Sequence, residues 1–247
     1  MEFYMPRFFI DRSFINNGTA VLEGDNAHHI TRSLRMKVGE ELTLCDGEGN
    51  DYFCKIDNMT DKSVVCSVLS FSPCSAEPPY SATVFQGLAK GDRFDTVIQK
   101  SVECGATRIV PLMTKRCTVK LEASDYPKKC ARWQKIAEEA AKQCGRGVIP
   151  KVEYPISFNE MLTRLKETEL PLFCYENATH PIREDMEGLE KAPETVAIVI
   201  GPEGGFDEDE VARVLDSGAK PISLGKRILR TESAAPFVLA CLSYAFE

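Results

Sequence analysis

Two short stretches carry residue types that bring a ligand close to the main chain. The first, AIVIGPEGGFDEDE over residues 197–210, passes from an apolar run into a glycine–proline turn and then a cluster of acids. Gly201, Gly204 and Gly205 permit positive φ and close backbone approach, and Pro202 stiffens the turn. A phosphate is the wrong guest for it. The stretch matches neither G-x-x-x-x-G-K-[ST] nor G-x-G-x-x-G. Glu203, Asp207 and Glu208 would repel an anion and tolerate a neutral or cationic ligand. The second stretch, LGKRILRTESAA from Leu224 to Ala235, sets Arg227 and Arg230 around Ile228 and Leu229, just ahead of a helix that Thr231 or Ser233 can cap. Apolar side chains with free backbone groups suit a flat adenine ring, and arginines suit a polyanion. Each stretch alone also reads as ordinary structure: a glycine turn, and a capping loop with two surface arginines.

The elements around them must bring the two together. From ATVFQGLA onward, apolar runs (RIVPLMT, LPLFCYE, TVAIVI, PISLG) alternate with helical patterns (DRFDTVIQKSVECGA, DYPKKCARWQKIAEEAAKQCG, SFNEMLTRLKE, DEDEVARVLDSGA, SAAPFVLACLSYAF). Gly105 and Gly145 are helix stops, and Ser157 with Glu160 has capping-box spacing. This alternation predicts an α/β fold with a parallel sheet covered on both faces. Ligands of such sheets sit beyond the carboxyl ends of the strands. Three loops fall there: YENAT with Tyr175 and Glu176, GPEGG after Ile200, and GKRILRTES. The last helix is apolar nearly all round, so it must be buried in the core or against a partner.

Residues 1–70 read instead as short strands. RFFI, TAVLEG, the hairpin EELTLCDGEGNDYFCKI and SVVCSVLSF predict a small β-barrel, with DNAHHITRSLR as one short helix capped by Asp25. His28 and His29 fall in that helix and are given no catalytic role. SPCSAEPPY, residues 72–80, is the best linker, which divides the chain into 1–72 and 73–247.

Composition narrows the partners. The chain has 247 residues, 43% hydrophobic, and a net charge of −7. No window approaches a membrane span, and MEFYMPRFFIDRSF lacks the pattern of a signal peptide, so a cytoplasmic protein is expected. Ten cysteines are scattered singly without a C-x-x-C, and there are three histidines, so reduced thiols and no metal site are expected. Residues 90–151 hold fourteen basic residues and seven acidic ones, a local positive excess that suits a polyanion as well as a solvated helix surface.

Taken together, IGPEGGF and LGKRILRTESAA resemble the signatures of the SPOUT methyltransferases. More narrowly, the chain resembles the RsmE-type bacterial 16S rRNA (uridine N3) methyltransferase family. MPRFFID, HHITRSLRMKVGEEL, KGDRFDTVIQKSVECGATRIVP and RWQKIAEEAAKQCGR carry the likeness over nearly the whole chain. The resemblance implies an N-terminal PUA-like β-barrel for RNA, a SPOUT methyltransferase domain with a C-terminal trefoil knot, S-adenosylmethionine as cofactor, and a homodimer acting on 16S rRNA or the small ribosomal subunit. By that resemblance Gly201, Pro202, Gly204 and Gly205 contact the methionine and ribose part. Leu224, Gly225, Ile228 and Leu229 enclose adenine. Tyr175, Glu176, Ile200, Glu203, Arg227 and Arg230 complete the cofactor site.

The uridine N3 carries a proton that must leave before it becomes a good nucleophile. Arg230 or Arg227, or Arg7 or Arg12 of a second subunit, would stabilise charge on the uracil oxygens. Glu232 or Glu203 would accept the proton if its environment raises its pKa. Arg7, Arg12, Arg32 and Arg35 are the expected RNA contacts. ESAAPF departs from the family's ETAA. Ser233 keeps the hydroxyl, and Pro236 is expected in the first helical turn, where a missing N–H is tolerated. Two alternatives stay open: a non-catalytic RNA-binding module on the same scaffold, and a methyltransferase acting on tRNA.

Overall fold

The computed structural model describes residues 5–247; residues 1–4 of the MEFYMPRFFIDRSF start lie outside them. Two compact units divide the chain. One consists of the described residues up to Glu77 together with Ala141–Ile149, the other of Pro78–Ala140 with Pro150–Glu247. The division therefore falls after Glu77 rather than after residue 72, and the first unit is discontinuous in sequence.

In the first unit, β1 (Arg7–Phe9), β2 (Ile15–Asn16), β3 (Thr19–Glu23), β4 (Glu41–Cys45), β5 (Asn50–Met59) and β6 (Ser63–Pro73) form one sheet in the order β1-β4-β5-β6-β3-β2. Every pairing is antiparallel except β1 with β4. Register shifts between Phe53 and Cys54 and between Ile56 and Asn58 bend β5 against β6, as bulges do. Alternate residues Leu22, Leu42, Leu44, Ile56 and Val64 point to a shared core with Ile30. Helix α1 (Gly24–His28) covers less than the predicted stretch and continues as a single π-helical turn, His29–Ser33. Asp25 does not cap it: the helix begins at Gly24, whose φ of 59° only glycine adopts without strain, and Asp25 lies inside the first turn. His29 sets its ring edge-on to Phe8 at 5.8 Å, a packing role.

The linker is anchored rather than loose. Glu77 accepts hydrogen bonds from Arg146 Nη2 at 2.6 Å and from the N–H groups of Gly147 and Val148 at 2.8 and 3.0 Å. Gly147 passes so close to Cys74 that a Cβ there would lie 2.5 Å from the cysteine's own.

The second unit holds β7 (Ser81–Gly87), α2 (Arg93–Glu103), β8 (Arg108–Met113), most of α3 (Tyr126–Cys144), β9 (Lys151–Val152), β10 (Ile156–Ser157), α4 (Phe158–Leu165), β11 (Leu170–Cys174), α5 (Ile182–Glu187), β12 (Thr195–Ile200), α6 (Glu208–Asp216), β13 (Lys220–Ile222) and α7 (Thr231–Phe246). The sheet is parallel throughout, in the order β10-β8-β7-β12-β11-β13, with β9 beside β8. Phe85, Val110, Ala197 and Val199 on one face pack with Phe158 and Met161 of α4 and Val211 and Val214 of α6. Helices α2 and α7 pack together, and α7 reaches β12. Gly105 (φ 93°) and Gly145 (φ 79°) follow the ends of α2 and α3, and Ser157 caps α4 by accepting the Glu160 N–H at 3.2 Å.

The last helix departs from expectation. It starts at Thr231, so Pro236 is its sixth residue, beyond the first turn, and gives no N–H to the Glu232 carbonyl four residues back. Ala234, Ala235, Val238, Leu239 and Leu242 are buried, whereas Ser233, Phe237, Ala240 and Tyr244 form an exposed stripe, Tyr244 at 94%.

Candidate active site

Because all strands of the second unit run the same way, the turns after β11, β12 and β13 emerge at one edge of the sheet. They enclose a cavity of about 670 Å³, well inside the range of small-molecule sites. Tyr175 and Glu176 line it from the first turn, Ile200, Gly201, Pro202, Glu203, Gly204 and Gly205 from the second, and Leu224, Gly225, Arg227, Ile228, Leu229 and Arg230 from the third. Glu232 lines it too. Every residue expected at the cofactor thus faces the same space.

Each turn is held by identifiable contacts. Gly205 has a φ of 66°, and a side chain there would also meet the Glu176 carboxylate at 3.2 Å. Gly201 lies against the Phe206 ring, which is edge-on to Phe173; Phe173 stacks in turn on Tyr175. Gly225 is at φ 99°. The third turn is bound to the rest through Thr231. Its hydroxyl does not cap α7, whose N-cap residue is Arg230 with no side-chain bond. It donates to the Gly201 carbonyl at 2.7 Å and accepts from Gln86 Nε2 at 2.8 Å. Gln86, wholly buried at the end of β7, was not anticipated. A polar residue closing an apolar strand at the ligand-binding edge is the signal that could have found it. Thr231→Val leaves the Gly201 carbonyl and the Gln86 amide without this partner. It should weaken S-adenosylmethionine binding by about 1–3 kcal/mol in calorimetry, while Thr231→Ser keeps wild-type affinity.

The acids divide into two groups. Asp207 and Asp209 both bind Lys115 Nζ at 2.8 Å, and buried Glu210 accepts the Lys115 N–H at 2.9 Å and the Asp207 N–H at 3.1 Å. They fasten α6 to the loop after β8, and none of the three lines the cavity. The carboxylates that do face it are Glu176, Glu203 and Glu232. Glu203 accepts from the Lys90 N–H at 2.9 Å and from Arg93 at 2.6 Å. Burial works to raise its pKa, but these partners prevail and hold it below the usual carboxyl range. A base with a raised pKa is therefore not found at Glu203. Burial pushes the Cys174 thiol, at the cavity wall, up to about 12, so it stays protonated.

Arg227 and Arg230 are exposed at the cavity, and Arg230 has its guanidinium 4.0 Å from Glu232. The four arginines of the first unit differ among themselves. Arg7 forks onto Asp51 at 2.9 and 2.5 Å and contacts Cys74 Sγ at 3.2 Å, with 13% of its side chain exposed. That geometry commits it to holding β1 to β5 and withdraws it from the expected RNA contacts. Arg12 and Arg32 are exposed and reach Glu48 (3.3 Å) and Asp61 (2.8 Å). Arg35 is exposed at φ 53°.

Strand order, cavity position and glycine turns define a parallel α/β domain with one small-molecule site at the ends of three strands, and the comparisons assign that domain to the RNA methyltransferases. Residues 76–243 match the family model of the RNA methyltransferase domain, and residues 22–69 that of the RNA methyltransferase PUA domain. The chain belongs to the ribosomal RNA small subunit methyltransferase E family, of the SPOUT class. It is 33% identical over 251 residues to the Bacillus subtilis member, covering 98% of both chains. It is also 30% identical to the Mycobacterium tuberculosis member over 240 residues, covering 95% of this chain and 90% of that one. Among solved structures, a Legionella pneumophila methyltransferase in complex with S-adenosylmethionine superposes with a TM-score of 0.85 at 32% identity, covering 99% of both chains. The Neisseria gonorrhoeae small subunit methyltransferase E, also bound to S-adenosylmethionine, gives a TM-score of 0.85 at 30% identity over 98% of both chains.

Proposed function

We propose that this protein transfers the methyl group of S-adenosylmethionine to N3 of a uridine in 16S rRNA of the small ribosomal subunit. The observation that carries the reading is the convergence of all three turns on one cavity. The residues present fit the cofactor: an apolar wall from Leu224, Ile228 and Leu229, glycines that expose main-chain groups, and the Glu176 carboxylate over Gly205 for a cationic centre. When bound, the cofactor supplies an electrophilic methyl group.

The chain's own residues do the rest. The turns at Gly201 and Gly225 orient the ligand by main-chain contacts, a positioning effect. Arg227 and Arg230 stabilise negative charge on the uracil oxygens, and Glu232 takes the N3 proton, since Glu203 is already neutralised by Arg93. Arg230→Ala and Glu232→Gln should each lower turnover about 100-fold at saturating cofactor; unchanged turnover in both would remove these roles. In this reading the first unit contacts RNA through Arg12, Arg32 and Arg35, and the second performs the transfer. The exposed Phe237–Tyr244 stripe of α7 supports a homodimer. A cytoplasmic location belongs to this reading because ribosomal RNA is the substrate; no helix among the described residues is long and apolar enough to cross a membrane. The direct test is to map base methylation on small-subunit rRNA from cells lacking this gene and to restore it in vitro with purified protein.

A further inference from the structure

A second groove, of about 600 Å³, lies at the same edge of the sheet. The loop after β7 and the first turn of α2 serve both cavities: Arg93 lines the cofactor cavity, and Gly91, Asp92, Phe94 and Asp95 line the groove. Leu88, Val119 and Leu121 add apolar walls, and Lys128, Lys129 and Arg132 of α3 form its basic side.

The charges around this groove are unevenly committed. Arg132 is bidentate on Asp95, and Asp125 accepts the Glu122 N–H. The side chains of Lys120, Lys128, Lys129 and Lys135 are exposed and make no hydrogen bond or ion pair with any described residue. Lys128, Arg132 and Lys135 fall within about 60° of one another around α3 and span roughly 10 Å along it. No acid interrupts residues 126–137. In a chain of net charge −7, such a run of unneutralised lysines beside the reaction site calls for a polyanion. The groove itself is different. Asp92, Asp95 and Asp125 line it and offset Lys128, Lys129 and Arg132, so it offers phosphate no surplus of positive charge, while its apolar walls suit the uncharged part of a nucleotide.

We propose that the amino-terminal half of α3 is a docking ridge for single-stranded substrate RNA. The phosphates run over Lys128, Lys129 and Lys135, and a base next to the target lies in the groove. The proposal rests on the methyltransferase reading and names how that site receives its substrate. A ridge of this kind contributes affinity without sequence preference and screens steeply with salt.

The test uses the full-length protein with Lys128→Glu, Lys129→Glu and Lys135→Glu combined, and a control with all three changed to Arg. Small ribosomal subunits from cells lacking the gene serve as substrate, and a labelled single-stranded RNA serves as a binding probe independent of methyl transfer. The Glu variant should raise KM for subunits about tenfold or more and flatten the salt dependence of RNA binding by roughly two units of slope, with S-adenosylmethionine affinity and kcat unchanged. The Arg control should match wild type. Should the combined variant fold poorly, each single reversal should flatten the slope by about 0.7. Unchanged KM and salt slope would overturn the ridge, as would loss of binding to phosphatidylglycerol vesicles with RNA binding intact. Wild-type protein that binds the probe through these lysines yet methylates no subunit would instead sink the methyltransferase reading.

Discussion

Gly87→Ala should abolish useful cofactor binding. A methyl group at the end of β7 would sit 2.4 Å from the Pro202 nitrogen, 2.6 Å from its Cδ and 2.8 Å from the Gly201 carbonyl carbon. These are main-chain and ring atoms, not the far end of a flexible side chain, and Pro202 is buried. Relief requires the strand and the turn to separate by about an ångström, and a displacement of that size at a positioned site costs on the order of 100-fold. The same strain should lower stability by about 1–3 kcal/mol. Titration calorimetry with S-adenosylmethionine and a thermal melt check both effects. Affinity within twofold of wild type would show that the turn does not need this close approach.

The second large effect is expected at Glu77. Its half-buried carboxylate binds Arg146, whose side chain is 3% exposed, and accepts two backbone N–H groups. Glu77→Gln removes the charged acceptor that Arg146, Gly147 and Val148 share, which should cost about 1.5–3 kcal/mol, or roughly 5–10 °C in melting temperature. The pH dependence has a definite sign. Burial opposes ionisation of Glu77, but Arg146 and the N–H groups outweigh it and hold its pKa below the ordinary 4.5. The stabilisation is therefore complete above that value and lost as the pH falls through the lower, folded-state pKa. Acid melts of wild type should lose stability in that window, and Glu77→Gln should lose less there.

The alternation of apolar runs with amphipathic stretches, the glycine stops at Gly105 and Gly145, and the Ser157 cap were readable because each is a local pattern with a local cause. The three turns of the cofactor cavity were readable for a related reason: in a parallel sheet, any loop following a strand reaches the same edge. What escaped was non-local. The hydroxyl of Thr231 has a local use as a cap, and only the fold reveals that Gly201 and Gln86 take it instead. Asp207 reads as facing a ligand, but Lys115, distant in sequence, claims it together with Asp209. Helix α5, with six residues, is too short for periodicity to show. The knotted path that the resemblance implies belongs to the course of the whole chain, and no spacing encodes it.

The return of Ala141–Ile149 to the first unit has a consequence for biosynthesis. Glu77 leaves the ribosome long before Arg146 is made, and at ordinary elongation speeds the gap between them is roughly 4–14 s. Through that interval the nascent amino-terminal sheet lacks its last segment, with the Glu77 carboxylate still in water. Vectorial synthesis therefore cannot finish the first unit before the second is well under way, and a fragment ending at the linker would carry an open flank that invites aggregation.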